Sequence, residues 1–161
     1  MAANPLQRRK NKTDASLMKL ANSVWIRPPL DGAVFYGDDE GAVLAKEFIA
    51  KHPLGFTRLD ELLIGTPEGS LLFRKLTENG KPWSAREEVW WELSWRMARA
   101  ARGIVNVFVP QRLIESRPVD EFRHKYTTGS YANTVLEKVE LPELEANGNV
   151  TAIYINGNLL S

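Results

Sequence analysis

Pro82-Trp83-Ser84-Ala85-Arg86-Glu87-Glu88-Val89-Trp90-Trp91-Glu92-Leu93-Ser94-Trp95-Arg96-Met97-Ala98-Arg99-Ala100-Ala101-Arg102-Gly103, followed at once by Ile104-Val105-Asn106-Val107-Phe108-Val109, is the stretch on which the fold turns. The first part reads as a helix and the second as a buried strand. Ser84 suits the N-cap, and Glu87 three residues later completes a capping box. Gly103 suits the C-terminal stop, with Arg99 and Arg102 at the negative end of the helix dipole. The run after it is β-branched and nearly all apolar, which predicts a strand covered on both faces.

The helix carries four of the five tryptophans, counting Trp83 at its mouth. Trp90, Ser94, Met97 and Ala101 share one face at three-and-four spacing, and Trp91, Trp95 and Ala98 share the next. Such an apolar arc is wider than one sheet contact needs. Aromatic rings usually bury in a core or an interface. The alternative is that one ring lines a pocket, in which case Ser94 sets a hydroxyl one turn from the Trp90 ring.

Working outward, the 161 residues suffice for one domain with a substantial core. Hydrophobic content of 43% and charged content of 25% are ordinary for a globular protein. A net charge of +1 gives no global field toward nucleic acid or membrane. The absence of cysteine excludes disulfides, thiol nucleophiles and thiolate metal sites, and suits a reducing cytosol or a chain that unfolds and refolds in transport. No run is long and apolar enough to span a bilayer. Residues 1–13 are polar and aperiodic, with Gln7-Arg8-Arg9-Lys10-Asn11-Lys12 followed by no apolar segment, so they read as a flexible lead-in or linker rather than a secretory signal. Residues 14–161 read as a single domain.

In chain order, Thr13-Asp14 caps a short helix over Ala15 to Ala21, which ends before Pro28-Pro29. Ala33-Val34-Phe35-Tyr36 is a short buried strand. Gly37 to Gly41 is an acidic turn, and Ala42 to Lys51 is an amphipathic helix. This strand–turn–helix order predicts α/β topology, with Tyr36 to Asp38 at the end of the strand where such sheets keep their ligand crevice. Phe56 to Leu59 is a second strand candidate, Thr66 to Gly69 a turn, and Ser70 to Leu76 a short helix. Pro110 to Gly129 is a long irregular segment holding Arg112, Arg117, Arg123, His124 and Lys125, and long loops in compact domains are usually functional or mobile. Val150 to Ile155 is a strand with the composition of a central position. Asn156-Gly157 is turn chemistry. The predicted fold is α/β, with a small, mainly parallel sheet flanked by helices and an N-terminal helical layer.

The two histidines, His52 and His124, lack metal-ligand spacing, so no metal site is expected. No Gly-x-x-x-x-Gly-Lys loop or Gly-x-Ser-x-Gly elbow is present. What remains is carboxylates and aromatic rings. That pairing suits chemistry through a sugar oxocarbenium ion, which a carboxylate stabilises or traps while rings hold the ligand. Nicotinamide leaves a ribose as a neutral base and needs no strong acid, and its pyridinium ring is a cation of the kind an indole face attracts by about 1–2 kcal/mol when desolvated.

Four segments, in order, resemble the ADP-ribosyl cyclase/NAD glycohydrolase family, and within it the bacterial toxin domains. They are Val34-Phe35-Tyr36-Gly37; Thr57-Arg58-Leu59-Asp60-Glu61-Leu62-Leu63-Ile64-Gly65, which is shifted because Arg58 adds a residue after the threonine; Trp90 to Val109; and Lys138-Val139-Glu140-Leu141-Pro142-Glu143-Leu144. The match covers roughly residues 33 to 155. Tyr stands where the family has its first tryptophan, and Thr134-Val135-Leu136 stands where a threonine–aromatic pair precedes the catalytic glutamate. The resemblance implies Glu140 as the catalytic carboxylate and Asp60 as the acid that gates the site, with Glu61 and, more weakly, Glu68 as alternatives for that role. It implies Tyr36 and Trp90 against nicotinamide and ribose, Ser94 on the diphosphate with basic residues of the 110–130 loop, and Thr134 beside the substrate. The implied activity is an NAD(P) glycohydrolase with NAD or NADP as substrate and no cofactor. The implied setting is the C-terminal toxin domain of a larger secreted effector that acts in a target cell's cytoplasm and is restrained by an immunity protein; no nucleic-acid partner and no membrane insertion of the mature domain are expected.

Two other readings stay open at this level. One is a nuclease toxin using Glu140, His124 and cationic side chains on RNA, against which the near-zero net charge counts. The other is a non-enzymatic module whose tryptophan helix is an interface.

Overall fold

The structure, a computed structural model, describes residues 15–52, 55–78, 83–114 and 136–160. The lead-in 1–13, Thr134, His124 and the basic residues Arg117, Arg123 and Lys125 lie outside the described residues.

Helix α1 (Ala15–Asn22) buries Leu17 and Ala21. Its last turn is fastened to α5 (Trp83–Ala100) by Arg96, whose guanidinium donates to the Ala21 carbonyl at 2.7 Å and to Asn22 Oδ1 at 2.6 Å. Strand β1 is Val34–Tyr36, and α2 is Asp38–Lys51. The acidic turn read from the sequence is the first turn of α2, so the helix begins at Asp38 rather than Ala42. Asp38, Asp39 and Glu40 lie at the positive end of its dipole.

The second strand candidate is corrected. Thr57 makes one isolated bridge to Ala33, and the chain turns into α3 (Leu59–Ile64). The reason is local: the Glu61 carboxylate accepts the Arg58 backbone N–H at 3.2 Å, the contact by which a third helical residue caps its own N-terminus. Helix α4 runs Pro67–Thr77, with Thr66 Oγ1 accepting from the Gly69 N–H at 3.0 Å and Pro67 in the first turn, so the predicted turn is its start. In α5, Ser84 falls inside the first turn instead of at the cap.

Strand β2 (Gly103–Phe108) follows α5. Gly103 has φ +76°, and a Cβ there would collide with the Asp31 carboxylate, which accepts the Ile104 N–H at 2.7 Å. Ile104 is exposed, so β2 is covered less completely on its second face than its composition predicts. Next come a 3-10 turn at Gln111–Leu113, a π-helical turn at Leu136–Glu140, α6 (Leu141–Ala146), β3 (Val150–Ile155) and β4 (Asn158–Leu160). The sheet order is β1-β2-β3-β4. The first three strands are parallel, and β4 returns antiparallel through Asn156-Gly157.

The strand period of two separates two cores. Phe35, Val105, Val107, Ile153 and Ile155 pack into the large core with α1, α3, α4, α5 and α6. Val34 and Phe108 face α2 through Ala45, with Leu44, Phe48 and Ile49 beside them. Trp91 and Val139, with Trp95, form a small third cluster that seats the π turn on α5.

Candidate functional site

A cavity of about 400 Å³ opens at the C-terminal end of β1, where open α/β sheets keep their ligands. Its wall is drawn from five places in the chain: Val34 to Asp38 from β1 and the start of α2, Leu59 and Asp60 from α3, Phe73 and Thr77 from α4, Trp90, Ser94 and Met97 from α5, and Leu136 and Glu140 from the π turn.

Five of the residues singled out from the sequence thus meet here: Tyr36, Asp60, Trp90, Ser94 and Glu140. Trp90, Ser94 and Met97 are the helix face read from the spacing, and Trp90 is the ring that faces the cavity while Trp91 is core. Phe73 meets the Trp90 ring edge-on at 6.2 Å between centroids and steadies it. Glu61 is not on the wall; its carboxylate is engaged by Arg58, N–O 2.9 Å. Glu68 lies exposed in the first turn of α4.

Glu140 is the most perturbed group of the wall. It is buried, and desolvation pushes its carboxyl up to about 8, while a hydrogen bond from Ser94 opposes the shift by favouring the charged form. Ser94 is therefore engaged with Glu140. Burial also raises the Asp60 carboxyl; the Arg58 cation opposes this and Glu61 adds to it. The Tyr36 hydroxyl is pushed up to about 12, first by burial and then by Asp60, with Arg58 opposing. It stays a neutral donor.

Asp38, Phe73, Thr77 and Leu136 complete the wall without having been named individually from the sequence. Asp38 sits in the left-handed region at φ +67°, where a non-glycine residue is uncommon. Its position directly after the first strand was the available signal. Phe73 and Thr77 reach the cavity through the packing of α4, which no local pattern reveals. Among the described residues no group of three or more His, Cys, Asp or Glu is placed to hold a metal ion, and no described helix is long and apolar enough to cross a membrane.

Over 93% of its length the chain superposes on a crystal structure of Aplysia cyclase complexed with substrate NGD and product cGDPR, at TM-score 0.53 and 17% identity. The fold is similar to that of an ADP-ribosyl cyclase. A structure of ADP ribosyl cyclase complexed with N1-cIDPR matches at the same TM-score of 0.53 and 17% identity, again over 93% of this chain. The chain spans 62% of the length of these two solved structures. No protein-family model and no curated protein sequence matches it.

Proposed function

We propose that this chain is an NAD(P) glycohydrolase. One observation carries the reading: a buried carboxyl, Glu140, shares a cavity with two aromatic residues, Tyr36 and Trp90, and a second acid, Asp60. The similarity of fold to an ADP-ribosyl cyclase supports it.

In this reading the pyridinium of nicotinamide lies against Trp90 and Tyr36. The C1′–N bond of the ribose breaks, and its electron pair leaves on nicotinamide as a neutral base. The cation left at C1′ is stabilised or trapped by the Glu140 carboxylate. Water adds to C1′ and releases one proton, giving ADP-ribose, or its phosphorylated form from NADP. Asp60 positions the nicotinamide amide or the water. Burial alone makes Glu140 hold its proton near neutral pH; a bound cation favours the carboxylate, so substrate binding itself charges the group that acts. As the resemblance implies, Ser94 and basic residues of the 110–130 loop, of which Arg112 is among the described residues, would meet the diphosphate.

Nicotinamide release from NAD and NADP by the purified chain tests this directly. Glu140→Gln is expected to reduce release by about 1000-fold or more, as for groups that act only on the transition state. A folded parent that releases nicotinamide from neither dinucleotide removes the reading. The wider setting we propose, a toxin domain delivered to a target cell and restrained by an immunity protein, is supported by the sequence resemblance and the absence of cysteine. Expression in a bacterial cytosol should lower NAD and arrest growth, and Glu140→Gln should relieve both.

A further inference from the structure

We propose that Arg58 is a positioning residue that holds the Tyr36 ring and the Asp60 carboxylate on the cavity wall from behind. The inference rests on the glycohydrolase reading and names a further residue that its chemistry depends on.

Arg58 does not line the cavity, whereas Tyr36 and Asp60 do. Its guanidinium lies 5.8 Å from the centroid of the Tyr36 ring, within the range at which a cation is attracted to an aromatic face. The same guanidinium is forked onto Glu61, with Nε at 3.0 Å and 3.2 Å from the two carboxylate oxygens and the terminal nitrogen at 2.9 Å. The Arg58 backbone N–H donates to that carboxylate as well, at 3.2 Å. Arg58 is also the N-cap of α3, and Asp60 lies in the first turn of that helix. One side chain thus joins the end of β1 to the start of α3. The backbones of these two places meet through Val34 N–H to the Thr57 carbonyl and Thr57 N–H to the Gly32 carbonyl, both at 2.9 Å.

The Arg58 side chain is 15% exposed and its partner Glu61 39%, so the fork is shielded from water on the arginine side and open to it on the other. Arg58 is also the residue at which this stretch departs from the family pattern it resembles. Its charge bears on the site. The groups that face Asp60 are Arg58 and Glu61 from its own segment and Tyr36 from β1, with Glu140 also on the cavity wall and acting on the same Tyr36 hydroxyl. Arg58 is the cation among them, and it favours the ionised form of Asp60 against burial and Glu61. Its removal would free the ring and release Asp60 toward its neutral form.

The test compares parent, Arg58→Ala, Arg58→Lys and Glu61→Gln in nicotinamide release from NAD across pH, with thermal unfolding of each. Arg58→Ala is expected to lower kcat by about 10- to 100-fold with a smaller change in KM, and to move the acid limb of kcat, which follows Asp60 once the bound cation has charged Glu140, to higher pH. Arg58→Lys should recover part of kcat, because it keeps the charge and loses the fork. A folded Arg58→Ala with the parent's kcat and pH profile overturns the proposal. If Arg58→Ala does not fold, Arg58→Lys and Glu61→Gln decide it, each expected to lower kcat about 3- to 10-fold, and parent-like kcat in both overturns it.

A second measurement needs no turnover: saturation-transfer NMR with N1-methylnicotinamide, a pyridinium cation without a ribose. Weaker binding to Arg58→Ala than to the parent supports the proposal, and equal binding opposes it. A parent that neither releases nicotinamide nor binds the pyridinium removes the glycohydrolase reading and this inference together. An active parent with unaffected Arg58 variants removes only the inference.

Discussion

Glu140 and Ser94 form a hydrogen-bonded pair on the cavity wall, and on the proposed glycohydrolase reading its protonation sets the rate. A carboxyl pushed up to about 8 by burial is mostly neutral at physiological pH, yet stabilising a ribosyl cation needs the carboxylate. The Ser94 hydrogen bond partly reconciles the two, because it favours the charged form. On the glycohydrolase reading, kcat/KM for NAD should rise with pH to a midpoint near 8, since that ratio reports the free enzyme. Ser94→Ala should shift that limb upward and lower the neutral rate about 10-fold, the scale of a hydrogen bond to a charged group. A pH–rate series on both proteins checks the two expectations together. A limb that stays near 4.5, the ordinary carboxyl value, would assign the chemistry to another group. Trp90 offers a separate probe. It is half-buried against Phe73 and faces the cavity, so Trp90→Ala should raise KM about 10-fold while Trp90→Phe keeps most of the affinity.

The elements that hold these residues are joined by a few polar side chains, and Asn147 does the most. Its amide nitrogen donates to the carbonyls of Ala98 and Ala101 at 2.9 Å and of Arg99 at 3.2 Å, closing the C-terminal end of α5. Its oxygen accepts the Asn149 N–H at 2.9 Å, and the Asn149 carbonyl accepts the Gly103 N–H at 2.8 Å. One side chain therefore links the helix end, the start of β2 and the entry to β3. Asn147→Ala should cost about 2 kcal/mol, since it strands helix carbonyls, and lower Tm by roughly 4–8 °C; differential scanning calorimetry measures both. Nothing in the sequence marks Asn147 for this role beyond a polar bend. By contrast α5 and β2 were legible, because a capped helical period followed by a β-branched run has few other readings. Phe56 to Leu59 reads as a strand because Phe and Thr favour extended chain, while the deciding contact, Glu61 back to Arg58, forms only once the helix turns. The π turn was illegible: the spacing of Leu136 and Val139 suits any helical turn and does not mark a π turn, and their burial comes from Trp91 and the main core. The cavity was legible as a place in Tyr36, Asp60, Trp90, Ser94 and Glu140, which sit on ordered motifs. Phe73 and Asp38 enter it through tertiary packing and an unusual backbone angle.

For the whole molecule, a buried carboxyl means that stability and proposed chemistry respond to pH in opposite senses. Glu140 titrates near 4.5 when unconstrained and about 8 in the folded chain. Below the first value both states hold the proton, and the group imposes no penalty. Between the two values the unfolded chain releases its proton while the folded chain retains it, so the free energy of unfolding falls as pH rises and levels off above the folded value. The Asp60 shift is also upward and adds to the same slope at its lower end. Comparing the parent with Glu140→Gln isolates one group, because every other titration is common to both. From acidic to alkaline pH the parent should lose more stability than Glu140→Gln, by an amount on the order of a few kcal/mol. Urea unfolding at a series of pH values measures it. Stability curves that run parallel would mean that water reaches Glu140 in the folded protein. Curves that diverge in alkali, with the parent falling below the variant, would show that this fold keeps an ionisable group where ionisation costs it stability. Conditions that raise the carboxylate population would then raise the rate and shorten the life of the fold, the exchange between activity and stability expected where a site demands a charge that the surrounding core resists.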